Sequence, residues 1–425
     1  MNIIKHISIF PILNSDRFLM VNGVYGFVDS IGGKEKDTIL RWRTADIIIP
    51  QNDYERDLYD KLVLRKYIVE PFEEEEQFHK VISTLKMRQN RSPFSSTICF
   101  VLTYNCNFAC PYCYEKGITN NRTLSKELVD IVFDNCTNIS TISLFGGEPL
   151  LPANRDIINY IVERANKATK FAVITNGYYL LEFFDLFKQL NIANIQVTLD
   201  GTEREHNKTR HLINGMPTYR RIMEGVKVYA EEGIPLTIRM NVSENNIEDC
   251  FRAKNELLKE TWAKEIRFEM QPLFQSSPDD TQSLMSRLGN ENARSASHNI
   301  IFEKTVPFFK FLSKTGKLLP VIRSCDCEGN MRFYDPIGNI YNCILAVGNP
   351  SKKIGTYYPN VSLKEKSFLT RDISQIPACL ECENALLCGG GCPNVFPDGS
   401  DIYRPNCGSF VFELIQGIKH QKLIQ

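Results

Sequence analysis

The sequence predicts an α/β fold organised around a parallel sheet, and three observations carry that expectation. From Ser96 onward, short apolar and β-branched runs alternate with longer amphipathic segments, the pattern of strands joined by crossover helices. The runs at 97–102, 141–145, 171–175, 195–199, 236–242 and 265–272 are apolar and often β-branched, as strands covered on both faces should be. The segments between them, 126–136, 156–168, 180–190, 219–232 and 247–259, have helical periodicity. Six such units suit part of a barrel or an open doubly wound sheet equally well, and both put the site at the strands' C-terminal ends.

The stretch before residue 95 has a different texture. Short runs at 7–13, 18–21 and 25–29, with the turn pair Asn22-Gly23 between the last two, predict a small sheet. Helical patterns follow at 54–67 and 73–87, the second opening on Glu73 to Glu76, an acidic run read as a solvated helix start. After the sixth strand, 275–297 is polar and loop-like, and 299–312 is again apolar. These changes divide the 425 residues into regions 1–94, 95–312 and 313–425, in line with the two to three domains expected from length.

Composition narrows the function classes. With 43% apolar and 24% charged residues the chain resembles an average globular protein and neither a membrane protein nor a disordered one. Lysine plus arginine equals aspartate plus glutamate at 50 each, so there is no basic excess to neutralise nucleic-acid phosphates. The apolar stretch 7–13 is broken by Pro11 and is too brief for a signal segment, which leads to an expected cytoplasmic location. Fourteen cysteines grouped by spacing point to metal ligation rather than disulfides. Cys99, Cys136 and Cys250 stand outside the groups and read as small buried hydrophobes.

The most informative group is Cys106, Cys110 and Cys113, a C-x3-C-x2-C loop directly after the first parallel strand. Three thiolates there hold three irons of a cubane cluster and leave the fourth iron open to a small molecule. Gly146-Gly147-Glu148-Pro149, Thr175-Asn176-Gly177 and Thr198-Leu199-Asp200-Gly201 follow the next three strands, so all four groups are expected on one rim. The loop and the strand-end groups resemble the radical S-adenosylmethionine (radical SAM) family.

That resemblance implies a partial (β/α)6 barrel, a [4Fe-4S] cluster on Cys106, Cys110 and Cys113, and S-adenosyl-L-methionine on its open iron. It implies an aromatic contact to adenine from Tyr112, contacts to the methionyl amino group from Gly146, Gly147 and Glu148, and a carboxylate contact from Arg210. Thr175, Asn176, Thr198 and Asp200 match segments that border the ribose, and Asn241 joins the same binding set. Taken alone, Thr198 or Asn241 suits a capping or core hydrogen bond as well as a ligand contact. The implied reaction is reductive cleavage of the sulfonium, followed by hydrogen abstraction by a 5′-deoxyadenosyl radical, with the electron coming from a donor such as flavodoxin or ferredoxin.

A second array reads Cys325, Cys327, Cys343, Cys379-x2-Cys382-x5-Cys388-x3-Cys392 and Cys407. It resembles the SPASM pattern of peptide-modifying radical enzymes. The resemblance implies one auxiliary four-iron cluster on Cys379, Cys382, Cys388 and Cys407 and another on Cys325, Cys327, Cys343 and Cys392, three [4Fe-4S] clusters in all. The competing reading of the same spacings is a pair of zinc sites, which colour distinguishes because zinc is d10.

SPASM-bearing relatives act on peptides, so the implied function is maturation of a ribosomally made precursor peptide by a thioether or carbon–carbon crosslink. The N-terminal small α+β region would then hold the leader peptide as an added strand. Two alternatives remain at this stage. One is formation of formylglycine in a sulfatase, whose enzymes carry an aspartate after the cysteine equivalent to Cys343. Here that position is Ile344, which leaves Glu269, Asp335 or Asp398 as candidate bases. The other is a non-catalytic, metal-stapled peptide-binding scaffold. The six histidines are scattered, with His206 and His211 flanking Arg210, and none is assigned.

Overall fold

A computed structural model describes residues 1–12, 15–88, 92–273, 283–284, 287–288, 317–324, 331–365, 367, 370–395 and 403–407. In the N-terminal region β1 (Asn2–Ile3) will pair with β5, while β2 (Ile7–Pro11), β3 (Phe18–Asn22) and β4 (Val28–Ile31) form an antiparallel sheet in the order β2-β3-β4. Asn22 builds the turn into β4: its side-chain oxygen accepts from the amides of Val24 and Tyr25 at 3.2 and 2.9 Å. Because this turn runs on to Phe27, β4 starts later than the expected 25–29.

Helix α1 (Gly33–Arg43) was not expected from the sequence, whereas α2 (Asp53–Leu64) was. The Asn52 side chain caps α2 by accepting from Glu55 N at 2.9 Å. Strand β5 (Ile68–Val69) then pairs antiparallel with β1, and α3 (Pro71–Met87) follows, with proline at its first position. The expected solvated start of α3 is corrected at Glu74. This residue is buried and accepts from Lys5 N at 2.9 Å and from His6 N and Nδ1 at 3.2 and 2.9 Å. The acidic run therefore contains one internal anchor for the N-terminal strand, because the amides between β1 and β2 need an acceptor there.

The six parallel strands stand close to their sequence positions: β6 (Thr97–Val101), β7 (Thr141–Phe145), β8 (Lys170–Thr175), β9 (Ile192–Thr198), β10 (Leu236–Val242) and β11 (Arg267–Pro272). The connecting helices are α4 (Lys126–Asn135), α5 (Arg155–Arg164), α6 (Leu180–Phe187), α7 (Glu203–Thr209), α8 (Tyr219–Glu231) and α9 (Ile247–Leu257). The sequential order from β6 to β11 and the parallel pairings match a partial barrel. One large core, including Ile98, Phe100, Val173, Val197, Ile238 and Phe268, fills the space between strands and helices. Cys250 lies within it, and Cys99 and Cys136 are buried too.

The barrel does not close on β6. Strand β12 (Met331–Tyr334) adds parallel to its free edge, followed by antiparallel β13 (Asn339–Tyr341), β14 (Gly355–Thr356) and β15 (Ser362–Leu363), so ten strands make one sheet. The two ends of the chain also share a core. Phe10, Leu19 and Val21 pack with Leu318, Leu387 and Cys388, and Phe78 and Ile82 pack with Ile322, Ile376 and Leu386. Residues 289–316, which carry the expected second boundary, lie outside the described residues. Among the described residues, no helix is long and apolar enough to cross a membrane.

Candidate functional site

Two distant segments fix the cysteine loop. On one side, Gly147 N donates to Thr103 O and Glu148 N to Asn105 O, both at 2.9 Å, so the turn after β7 is zipped onto the chain leading to Cys106. The glycine pair is dictated by this approach: a Cβ on Gly146, whose φ is +136°, would meet Thr103 O at 2.2 Å, and one on Gly147 would meet Asn105 O at 2.5 Å. On the other side, the loop pairs with the segment after Arg210, where Ala109 N donates to His211 O at 3.1 Å and Ile213 N to Asn107 O at 3.0 Å.

Glu148 sits at the junction of two strand ends and has no solvent exposure. Its carboxylate accepts from Leu150 N at 2.8 Å, Thr175 Oγ1 at 2.6 Å and Asn176 N at 2.7 Å. Burial pushes this carboxyl up to about 7, against those hydrogen bonds and the Arg210 charge, which pull it down. Expected as a partner for an ammonium, Glu148 is first a strut that ties β7 to β8. Asn176 extends the strut to the cysteine loop, donating to Asn107 Oδ1 at 2.8 Å and lying 3.9 Å from Cys106 Sγ.

Tyr112, Asp200 and Arg210 come together as a relay. Arg210 Nη1 donates to Tyr112 Oη at 2.9 Å, and the Tyr112 hydroxyl donates to Asp200 Oδ2, which also accepts from Thr209 Oγ1 at 3.1 Å. His206 braces the group from beneath. Its Nδ1 accepts from Asp200 N at 3.4 Å and its Nε2 faces Thr218 Oγ1 at 3.0 Å, while the Thr218 hydroxyl donates to Arg210 O. Burial, then the Arg210 charge, pushes His206 well below its usual value, so the ring is neutral and its role is structural.

The residues around the loop suit a zwitterionic, ribose-bearing ligand beside a metal cluster. Asp200 Oδ1, Arg210 Nε and Asn107 Nδ2 are buried without a hydrogen-bond partner, so an acceptor, a donor and a cation wait on the same rim. The donor set of the loop is all thiol. Burial, then the Glu148 charge, pushes Cys106 up to about 12, and burial raises Cys110 and Cys113 while the Arg210 charge lowers both. Thiolates in such a place need a bound cation to form. Among the described residues no group of three such side chains is drawn together around a single ion. A cubane spreads its thiolates farther apart than one tetrahedral ion does.

Thr198 and Asn241 are half-buried at the ends of β9 and β10, and no hydrogen bond among the described residues joins them to the relay. Thr198 is in register with Arg239, and Asn241 Oδ1 lies 3.5 Å from Arg239 Nε. Arg239 also faces Glu269 across the β10–β11 pair at 3.7 Å. Of the two described candidate bases, Glu269 is the one on the Arg239 face. Asp335 is fully buried and accepts from Tyr104 Oη at 2.9 Å, Ile337 N at 3.0 Å and Asn339 N at 2.8 Å, so it closes the β12–β13 turn. Asp398 lies outside the described residues. The sequence reading missed Asn107, Thr209, Thr218 and Glu115. Glu115 has Oε1 buried without a partner, and burial pushes its carboxyl up to about 8. Its position two residues past Cys113 was the available signal.

In the C-terminal array, Cys325 and Cys327 lie outside the described residues. Cys379 and Cys388 sit on two short turns of helix, α10 (Pro377–Leu380) and α11 (Ala385–Cys388), and Cys382 in the turn between them donates its amide to Cys379 O at 3.2 Å. Burial, then the Cys388, Cys382 and Cys407 thiols, pushes the Cys379 thiol up to about 11, so those three lie within electrostatic reach of Cys379. Cys343 lies within electrostatic reach of Tyr114, the residue after Cys113.

Residues 100–254 match the model of the Radical SAM superfamily. The chain carries a radical SAM domain. This segment runs from the end of β6 through most of α9 and contains both the cysteine loop and the relay. The cysteine-type anaerobic sulfatase-maturating enzyme of Clostridium novyi is 25% identical over 70% of this chain and 88% of its own length. Two solved structures share the fold. Native anSMEcpe with bound AdoMet superposes with a TM-score of 0.57 at 14% identity, over 76% of this chain and 96% of that one. Streptococcus suis SuiB bound to precursor peptide SuiA gives 0.53 at 14% identity, over 96% of this chain and 99% of that one.

Proposed function

We propose that this radical SAM enzyme is a peptide maturase that removes a hydrogen atom from a ribosomally made precursor and forms a thioether or carbon–carbon crosslink. When bound, a reduced [4Fe-4S] cluster and S-adenosyl-L-methionine supply a carbon-centred radical strong enough for that abstraction. Cys106, Cys110 and Cys113 would hold the cluster. Arg210, with an unpartnered Nε, would take the methionine carboxylate, and its fork suits that group better than a point charge does. Gly146 and Gly147 bring bare backbone to the rim for the amino group, and Asp200 and Asn176 offer polar atoms to the ribose. Thr175 holds Glu148 in place, Tyr112 closes the adenine side, and Thr198 and Asn241 stand at the ends of β9 and β10.

The observation that carries the reading is the joint fixation of the cysteine loop by the Gly146–Gly147 turn and by the segment after Arg210. It ties the thiols and the proposed ligand contacts into one rigid rim. The N-terminal sheet, which ends in edge strand β4, supports leader docking by strand addition. The three thiols within electrostatic reach of Cys379 support an auxiliary cluster on Cys379, Cys382, Cys388 and Cys407, and the cysteine spacing assigns Cys325, Cys327, Cys343 and Cys392 to a second. We assign 1–94 to peptide recognition, 95–312 to the barrel and 313–425 to the auxiliary clusters, with a ferredoxin or flavodoxin as electron donor and a cytoplasmic location.

Formation of formylglycine is the second reading, favoured by the likeness to the Clostridium novyi enzyme over most of that enzyme's length. Ile344 at the position after Cys343 counts against it. The test is anaerobic incubation of the reduced, iron-loaded protein with S-adenosyl-L-methionine and a candidate precursor peptide. Crosslinking gives a loss of two mass units per event with no aldehyde, whereas a hydrazide-reactive product would establish the second reading. Failure to release 5′-deoxyadenosine would overturn both.

A further inference from the structure

The three glycines between Cys388 and Cys392 all take left-handed backbone, with φ of +65° at Gly389, +83° at Gly390 and +71° at Gly391. Such a run turns its carbonyls sharply and leaves them to be satisfied from one side. Arg371 does this. Its side chain is completely buried, with Nη1 donating to Gly391 O at 3.0 Å and Nη2 donating to Gly390 O at 2.8 Å and to Arg404 O at 3.2 Å. Asn406 completes the joint by donating its amide to Gly390 O at 3.1 Å. One guanidinium thus ties the turn that carries Cys388 and Cys392 to the segment that carries Cys407.

The charge of Arg371 reaches the Cys379 thiol as well, since it pulls that thiol down against burial and the neighbouring sulfurs. The adjacent carboxylate does not cancel it. Asp372 faces Lys86 Nζ at 3.3 Å and accepts from Ser374 N at 2.9 Å, so its charge has a partner of its own. A buried cation fixed on the turn between Cys388 and Cys392 stabilises the more negative, reduced state of an iron-sulfur group held there. We propose that Arg371 is the positioning cation that raises the reduction potential of the cluster on Cys379, Cys382, Cys388 and Cys407. The inference rests on the iron-sulfur reading above and adds a residue outside the cysteine pattern. The step is addition of one electron to the cluster from the donor, with no bond made or broken.

The experiment is a potentiometric titration followed by electron paramagnetic resonance in a chain carrying Cys106→Ala, Cys110→Ala and Cys113→Ala, so that only C-terminal clusters contribute. The signal lost on adding Cys379→Ala is the one followed. Arg371→Gln is expected to move its midpoint to a more negative value with iron content retained, while Arg371→Lys, which keeps the charge, stays near the parent. An unchanged midpoint in Arg371→Gln overturns the proposal, as does an equal shift in both variants, which would assign the effect to shape. If Arg371→Gln assembles no cluster, Arg371→Lys decides: iron and a near-parent midpoint support the proposal, and no iron overturns it. A parent chain with no signal sensitive to Cys379→Ala removes the iron-sulfur reading itself, and this inference with it.

Discussion

Arg210 holds the cysteine loop at two of its residues: Nη1 stands 2.9 Å from Tyr112 Oη, and the guanidinium carbon lies 5.7 Å from the centre of the Phe108 ring. The remaining Nε is buried and without a partner. Replacing Arg210 by Gln should weaken S-adenosyl-L-methionine binding by roughly 1.5–3 kcal/mol, about 10- to 150-fold, as expected for a hydrogen bond to a charged group. Lys keeps the charge but loses the fork, and should recover only part of the loss. Equilibrium binding to the iron-loaded variants measures this.

Replacing Cys106, Cys110 and Cys113 together by Ala should abolish release of 5′-deoxyadenosine while leaving visible absorption from the C-terminal clusters. A colourless, zinc-containing protein would instead establish closed zinc sites. Metal analysis and the absorption spectrum of the same sample distinguish these results.

Gly146→Ala should displace the loop without unfolding the barrel. Its new Cβ would sit 2.2 Å from Thr103 O in a backbone with φ +136°, a strain of about 1–3 kcal/mol before any steric term. Iron bound at the first site should fall, and thermal unfolding should begin earlier. An unchanged iron count in the Cys379→Ala background would count against the strut geometry.

The pH dependence of the metal-free protein should carry the signature of Glu148. Its folded value, about 7, lies above the unfolded value near 4.5, so the folded chain binds the extra proton between them. Stability from this group is full below about pH 4.5 and is lost as pH rises through about 7, by ~3 kcal/mol for a shift of this size. Glu148→Gln should flatten that part of the profile in chemical denaturation.

Glu74 should behave with the opposite sign. Burial pushes its carboxyl up, but the hydrogen bonds from His6 and from the Lys5 and His6 amides outweigh it and leave it below its usual value. Its contribution is present above the unfolded value and is lost as pH falls through the folded one. Glu74→Ala strands two buried amides and the His6 ring, so a loss of about 1–3 kcal/mol is expected. Faster proteolysis within residues 1–12 would report it.

The parallel sheet was legible because each strand advertises itself locally. A buried strand such as β6, Thr97–Val101, needs apolar residues on both faces, and a crossover helix such as α8 needs a periodic stripe. The cysteine loop and the turn after β7 were legible for the same reason: their chemistry is contiguous in sequence. What escaped was non-local. The pairing of β12 with β6 joins Met331 to Thr97, and nothing in either run names its partner. The pinning of Ala109 to His211 and the burial of Glu74 under Lys5 have the same character. Helix α1 escaped differently, since its first turn has no side-chain cap from Gly32 and its buried face is only Thr38, Ile39 and Trp42.

The addition of β12 to the open side of β6 also bears on how the protein is made. During synthesis the barrel strands emerge first, and the edge of β6 waits bare until more than two hundred further residues have left the ribosome. An apolar edge beside reactive thiols invites pairing with the wrong chain. Nascent chains stopped just short of residue 331 should therefore clump or recruit chaperones, and those a little longer should not.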